Sequence, residues 1–512
     1  MMARDLAVAL LTVGWGLIAL APLRARIGTL AMAAVSVPVG LLCWPLAAAL
    51  HSLTWTPFSW WLTPLFGSFA AVLMAVGLLV AAGPSRPETA QGGGRAARGL
   101  RPQAPAWSTI GAATTTLAVA AALTIVSSAS KAFVFTADSW GGYASTAMRL
   151  ADTGVLFERV MSERAALISA ISAGYRAFGG EWLYTIYPLI ALSVLAILAM
   201  ALLRRSRGIT SVGAALVGSA VAVIGLAAHP FFLFHSIYVH SHMLTAVYVL
   251  LGVVAAALAA ENSESAWLSI AGLAAAGIGL ARPDGLAYAV IPLMAASIIA
   301  LRQKDHATRA VVAVYAPHLA VNLLVFGAAF VRNGIWISPK LSGPMAVALL
   351  VSHIALGAVT WLSARHERTK RVVARHGFTF VLGLAALSVF GLLLVVDQAP
   401  ETAMIMLGNL LREGRWGALW YTVPGIVIVS ALVSASQPTN VLLKLSCWTI
   451  PTFLAAAFAV HATLHQGHLA WTDSFNRVAF HVVPVVFLCV GAIIAWATHV
   501  LMQPSDRKVG RR

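Results

Sequence analysis

The chain has 512 residues, of which 60% are apolar and only 10% charged, and its mean hydropathy is +0.86. A soluble globular protein carries about 25% charged residues, so a water-soluble enzyme, a disordered scaffold and a disulfide-stapled secreted domain are excluded. The net charge of +17 reads as Lys and Arg gathered in cytoplasmic loops, not as a nucleic-acid surface.

Apolar runs of about 18 or more residues recur along the whole length, long enough to cross a hydrocarbon core as helices. The short alternating segments of a β-barrel are absent. The expected fold is an all-α polytopic membrane protein of about 13–15 transmembrane helices. In chain order the spans are placed at 6–22, 28–50, 60–82, 108–128, 183–203, 209–228, 237–259, 266–281, 285–301, 310–330, 344–364, 377–396, 418–436, 445–464 and 478–502. Residues 1–82 form an N-terminal group of spans. Residues 83–107 form a Gly/Arg-rich linker, 108–502 the core with its outer loop 129–182, and 503–512 a basic tail. The first apolar run has neither the basic start nor the cleavage site of a signal peptide. Cys43, Cys447 and Cys489 have no metal-ligand or disulfide spacing.

The linker carries Arg86, Arg95, Arg98 and Arg101 and is placed inside. That choice fixes every other loop. The inside loops then hold 22 basic residues against 6 acidic ones, and the outside loops 12 against 11. Three spans precede the linker, so Met1 starts outside. Few Lys beside abundant Arg, Ala and Gly is the composition of a GC-rich bacterium, and the expected location is a bacterial inner (plasma) membrane.

The outer loop 129–182 holds Asp138, Asp152, Glu158, Glu163 and Glu181, five of the 17 acids. Residues 142–152 can form a helix with Ser145, Arg149 and Asp152 near one face. The run Ala165 to Phe178 suits an interfacial or re-entrant helix better than a span. Asp138 follows Phe133-Val134-Phe135 and precedes Ser139, Trp140 and two glycines. A carboxylate at a span's end is partly desolvated, which suits it to accept a proton; an Asp there can also simply cap the next helix.

Three further features face the same side. Arg282-Pro283-Asp284-Gly285 breaks two spans, either as a tight turn with a self-paired salt bridge or as an anion-binding pair. Asp473-Ser474-Phe475-Asn476-Arg477 runs into an apolar span that also carries His481. Ionisable residues there are costly and usually functional, and Arg477 suits a phosphate, or else anchors the interface. His229, His235, His240 and His242 lack a carboxylate at helical spacing, so hydrogen-bonded histidines are favoured over a metal site. No metal or other cofactor is implied. Outward aromatics, among them Trp55, Trp60, Trp61, Tyr187, Trp416 and Trp420, read mostly as an aromatic belt.

The order of these motifs resembles the GT-C superfamily of integral-membrane glycosyltransferases, the class of protein O-mannosyltransferases, aminoarabinose transferases and RgtA/B/C/D-like enzymes. The residues that carry the resemblance are Asp138-Ser139-Trp140-Gly141-Gly142-Tyr143, the helix ending in Asp152-Thr153-Gly154, and Phe178-Gly179-Gly180, over roughly residues 108–500. The chain departs from the O-mannosyltransferase pattern in two ways: Ser139 follows Asp138 where an Asp-Glu pair is expected, and three spans precede the core. The resemblance implies an inverting sugar transfer from a polyprenyl-phosphate donor to a glycan, lipid or protein acceptor at the extracytoplasmic face. Asp138 would be the base and Asp152 a second carboxylate. Arg282, Asp284, Arg477, Asp473, Lys131, Tyr143 and His240 would bind substrate, with Arg332 behind them. The rivals are a transporter or flippase, with ionisable groups near mid-membrane, a polysaccharide ligase or polymerase, and a non-catalytic assembly subunit.

Overall fold

A computed structural model describes residues 2–83, 145–156, 166–179, 186–204, 211–238, 240–303, 306–334, 343–437, 440–464, 469 and 474–502. The described chain is helical throughout. In order the helices are α1 (Met2–Leu20), α2 (Thr29–Leu41), α3 (Cys43–Thr54), α4 (Leu62–Ala82), α5 (Ser145–Thr153), α6 (Ala166–Ala177), α7 (Ile186–Arg204), α8 (Val212–Ala228), α9 (Pro230–Ile237) and α10 (Ser241–Asn262). Then come α11 (Ser265–Ala281), α12 (Gly285–Arg302), α13 (Ala307–Asn333), α14 (Gly343–Arg365), α15 (Glu367–Val395) and α16 (Ala399–Gly408). The last are α17 (Leu419–Ser436), α18 (Val441–Leu464), α19 (Ser474–Ala479) and α20 (Val483–Leu501).

Among the described residues, 12 helical segments are long and apolar enough to cross a membrane, or 13 if the bent pair α8–α9 counts as one. Fourteen of the fifteen expected spans coincide with helices; 108–128 lies outside the described residues. Two depart from plain spans. Helices α8 and α9 meet at 65° across His229-Pro230, where the proline opens α9 in place of extending α8. Helix α11, with 17 residues, is shorter than any of the twelve. It is apolar all round and buried on nearly every residue, which is how an inner core helix reads.

Burial sorts the bundle into a centre and a rim. The most apolar stretch of α10 is 94% buried, against 11% for α15 and 22% for α14 and α17. The rim helices therefore turn large side chains such as Phe380, Leu387, Phe390 and Leu432 outward, towards lipid. Lipid gives no hydrophobic drive for helix pairing, so close backbone approach does the work. Gly218 on α8 faces the Gly491 backbone on α20, and Gly277 on α11 lies under the Tyr248 ring of α10. A side chain at either position would collide.

Helix ends gather as the loop charges imply. Arg26 donates to the carbonyls of Ala82 (3.1 Å) and Gly83, Arg204 donates to Ile27 and lies 5.2 Å over Trp267, and Ser265 Oγ donates to Ala82 (2.6 Å). These contacts collect one end, called the basic end below. At the opposite end Phe58 N donates to Ala151 O (2.9 Å), Tyr187 Oη to His240 O (2.8 Å), and Arg332 sits over Trp55. Helix α4 finishes at the basic end and α5 lies at the opposite one.

Helix α6 starts and ends within one residue of expectation, and α5, described from Ser145, ends one residue past the expected 152. Helix α6 does not lie flat on the surface, however. Nine of its residues are buried, and Gly174 lets it press against the Trp44 ring of α3. Trp44 in turn donates to Thr12 Oγ1 (2.9 Å) on α1, so α6 is wedged between the N-terminal helices and the core.

Candidate functional site

The turn between α11 and α12 is the seed of the site. Arg282 Nε donates to Asp284 Oδ1 (2.7 Å) and Nη2 to Oδ2 (3.0 Å), a two-bond ion pair. The side chains are 11% and 6% exposed. The self-paired turn is thus what forms. It is also recessed. A methyl group built on Gly279 would lie 3.0 Å from the Asn322 amide oxygen of α13, and α13 continues eleven residues past Asn322. At 1.5 Å per residue, Arg282 sits on the order of 10 Å short of that helix end.

The pair does not close Arg282 off. Its Nη1 reaches His242 Nδ1 at 3.3 Å, and His481 Nε2 lies 3.0 Å from the same His242 nitrogen. A guanidinium can only donate, so His242 Nδ1 is an acceptor and His242 is neutral. His481 Nε2 is then the second donor to it. Around this core the His240 ring stacks on His242 (4.2 Å, 6°) and Tyr238 on His240 (5.3 Å, 19°). His235 meets His242 edge-on at 5.4 Å. Arg477 completes the group by donating Nη1 to Tyr238 Oη at 3.3 Å.

Each side chain is positioned by a helix terminus. His240 caps α10, its Nδ1 accepting from Ser241 N at 2.9 Å, and this puts His242 in the first turn. His481 falls in the 3₁₀ turn Phe480–Val482 that joins α19 to α20. His235 is carried in by the short α9, after the bend at His229-Pro230. Three stretches far apart in sequence, 235–242, 282–284 and 477–481, therefore bring two arginines and four histidines together with Asp284.

The cluster holds polar atoms that the described residues leave without a hydrogen bond: both ring nitrogens of His235, His242 Nε2 and His481 Nδ1. All three rings are buried to within about 1%. Leaving such a group unpaired costs about 1–3 kcal/mol; His242 Nε2–H calls for an acceptor, whereas His481 Nδ1, with Nε2 donating, calls for a hydroxyl or N–H. Among the described residues no three His, Cys, Asp or Glu side chains converge to hold a metal ion.

The expected site residues divide into three groups. Arg282, Asp284, His240 and Arg477 come together. Asp152 is described but stands apart: its side chain is 64% exposed and its ion pair, at 3.5 Å, is with Arg176 of α6. Asp138, Lys131, Tyr143 and Asp473 lie outside the described residues. Arg332, the outlying candidate, is over Trp55 at the far end of α13. Trp55, Trp60 and Trp61 are exposed, as belt residues need to be. The belt reading fails for Tyr187, Trp416 and Trp420, which are buried; Trp416 stacks on Phe231 (3.9 Å, 13°) and donates to Asn476 Oδ1, so it fixes α9 against α19.

Sequence reasoning missed a second polar group. His318 Nε2 and His353 Nδ1 are 3.0 Å apart, joining α13 to α14, and Asn322 Nδ2 donates to His318 O at 2.9 Å. His318, Asn322 and His353 are fully buried and lie near the middle of their helices. The signal was a lone histidine in each of two apolar runs, which is costly enough to demand a reason. Compared with protein-family models, curated proteins and solved structures, the chain matches none.

Proposed function

We propose that the chain is a membrane glycosyltransferase that moves a sugar from a polyprenyl-phosphate donor to an extracytoplasmic acceptor. The observation that carries this reading is the meeting of Arg282 and Arg477 with His235, His242 and His481 at the end of the bundle away from the basic loops. Cationic and neutral donors recessed below a helix end suit an anionic, oxygen-rich head delivered from the membrane. An apolar cleft of about 190 Å³ between α3, α4, α11 and α13, lined by Leu46, Met74, Leu273 and Val321 among others, offers room for part of the carrier's tail.

In the proposed reaction Asp138 takes the proton of the acceptor hydroxyl as its oxygen attacks the anomeric carbon. The bond from that carbon to the phosphate oxygen breaks, and the configuration inverts. Polyprenyl phosphate leaves with the bonding electrons, and the guanidinium groups of Arg282 and Arg477 offset its growing charge. Asp152, exposed and paired with Arg176, fits a role at the acceptor entrance better than one at the anomeric carbon.

The test is release of polyprenyl phosphate from a panel of polyprenyl-phosphate sugars by the purified full-length protein. The expected result is release by the wild type, loss in Asp138→Asn and a raised KM in Arg477→Gln. Release from none of the donors, or full release by Asp138→Asn, overturns it. A second reading, a transporter of a lipid-linked or small substrate, draws on the His318–His353 contact near mid-helix. It predicts flux into proteoliposomes that His318→Leu abolishes, with no cleavage of the donor.

A further inference from the structure

At the basic end, α15, α17 and α18 enclose a cleft of about 260 Å³ lined by Phe378, Leu382, Ser434, Lys444, Cys447 and Trp448 among others. Its outer walls come from the rim of the bundle: α15 and α17 are, with α14, the least buried of the apolar helices. Its mouth is cationic. Lys444 Nζ lies 5.6 Å from the centre of the Phe378 ring, and the Arg302 guanidinium lies 5.2 Å from the centre of the same ring. Arg302 is held there by Nε donating to Ala374 O at 2.9 Å. No carboxylate among the described residues pairs with either cation.

We propose that this cleft binds one anionic phospholipid of the leaflet that meets the basic end. The phosphodiester would sit between Lys444 and Arg302, while an acyl chain follows the groove between α15 and α17. Three observations converge on this occupant. Two unpaired cations share one aromatic ring, and a compact anion between them satisfies both at once. The walls below the cations are apolar and open towards lipid, so the guest has a hydrocarbon end. Arg365, Arg368 and Arg371 also fall at this end, around the start of α15, and their field attracts anionic lipid to this leaflet. A soluble phosphate would gain nothing from the apolar groove. The inference is independent of the sugar-transfer reading, since it concerns the other end of the bundle and different helices.

The test uses the full-length protein, purified in detergent and stripped of lipid. Thermal unfolding is followed as phosphatidylglycerol, phosphatidylcholine or inorganic phosphate is added. The expected result is a rise in Tm with phosphatidylglycerol alone. The midpoint of its titration should move to about fivefold higher lipid in Lys444→Gln, the loss of one near-surface cation. It should move by less than about twofold in Arg375→Gln, an exposed cation outside the cleft. Ala435→Leu, which fills the groove without touching a charge, should weaken the effect as much as Lys444→Gln does. An equal rise with phosphatidylcholine, an equal rise with inorganic phosphate, or an unchanged midpoint in both Lys444→Gln and Ala435→Leu would overturn the proposal. Should Lys444→Gln fail to fold, Ala435→Leu alone decides it, because a retained wild-type midpoint there rules out the groove.

Discussion

His242 meets His481, and His318 meets His353, each across 3.0 Å, yet the two contacts are built from opposite materials. The first lies where helices stop and start: at the first turn of α10, the 3₁₀ turn before α20 and the α11–α12 turn. A formal ion pair stands beside it, and Arg282 dictates which ring nitrogen of His242 is bare. The second lies in the uninterrupted lengths of α13 and α14, with Asn322 as its polar neighbour and no charged side chain beside it among the described residues. Helix ends leave backbone donors and acceptors that need partners, so polar side chains accumulate there at modest cost. Mid-helix backbone is already satisfied, and a histidine placed there must be satisfied by another side chain. The contrast separates a helix-end cluster that keeps unpaired ring nitrogens from a contact that fixes two helices to each other.

The strongest way to break that contrast is to strip the charge from the end cluster. Asp284→Asn leaves the Arg282 guanidinium buried without its carboxylate. Removing one partner of a buried pair costs about 3–5 kcal/mol, so we expect a large fall in Tm and in the yield of folded protein. The double variant Arg282→Met with Asp284→Leu should recover most of that stability while abolishing release of polyprenyl phosphate. Normal stability in Asp284→Asn would mean that the pair anchors nothing. Retained release in the double variant would take Arg282 out of the proposed reaction.

A double-mutant cycle on each histidine contact sharpens the comparison at the next level. Leaving a buried ring nitrogen unpaired costs about 1–3 kcal/mol, whereas replacing both partners by apolar groups can be nearly neutral. For α13–α14, His318→Leu and His353→Leu should each destabilise, and the double variant should be close to the wild type in Tm with donor cleavage intact. For the end cluster the double variant His242→Leu with His481→Leu should stay destabilised, because Arg282 Nη1 loses its acceptor as well. A mimic gives the finer check: His242→Asn puts an amide oxygen near the Nδ1 position and should keep more stability than His242→Leu. Equal coupling and equal recovery in the two cycles would erase the distinction.

How much of this was legible depends on what a residue's neighbours in sequence can reveal. The spans were legible because about 18 apolar residues in a row admit few alternatives, and the sorting of helix ends followed from where Arg and Lys fall. The Arg282-Pro283-Asp284-Gly285 turn was legible as a break, since Pro and Gly punctuate the run. Its pairing was not decidable: Arg282 can reach Asp284 two residues away or an anion from outside, and the fold uses the first while adding His242. The approach of His481 to His242 crosses 239 positions, and no periodicity encodes it. His318 and His353 were readable only as isolated oddities; that they face each other is set by how α13 and α14 rotate against α11 and α12. The burial of Trp416 and Trp420 was misread because an aromatic near a helix end has two uses, and belt position alone does not separate them. Asp138, the centre of the expected chemistry, lies in a stretch outside the described residues.

The smallest stability effect gives the cleanest test of chemistry. Asp152 and Arg176 are both largely exposed, 64% and 49%, and exposed ion pairs contribute about 0–1 kcal/mol. Asp152→Asn should therefore leave Tm within a degree or two and fold normally. If the carboxylate only helps to hold α5 against α6, Arg176→Gln should change donor cleavage as little as Asp152→Asn does. If it receives the acceptor, Asp152→Asn should raise the KM for the acceptor and leave that for the donor alone, while Arg176→Gln has no such split. A fall in kcat of several orders of magnitude at unchanged Tm would be a third pattern, and it would draw α5 into the reaction centre. That outcome would require α5 to approach Arg282 and Arg477 in the donor-bound state, because in the present arrangement its carboxylate faces Arg176.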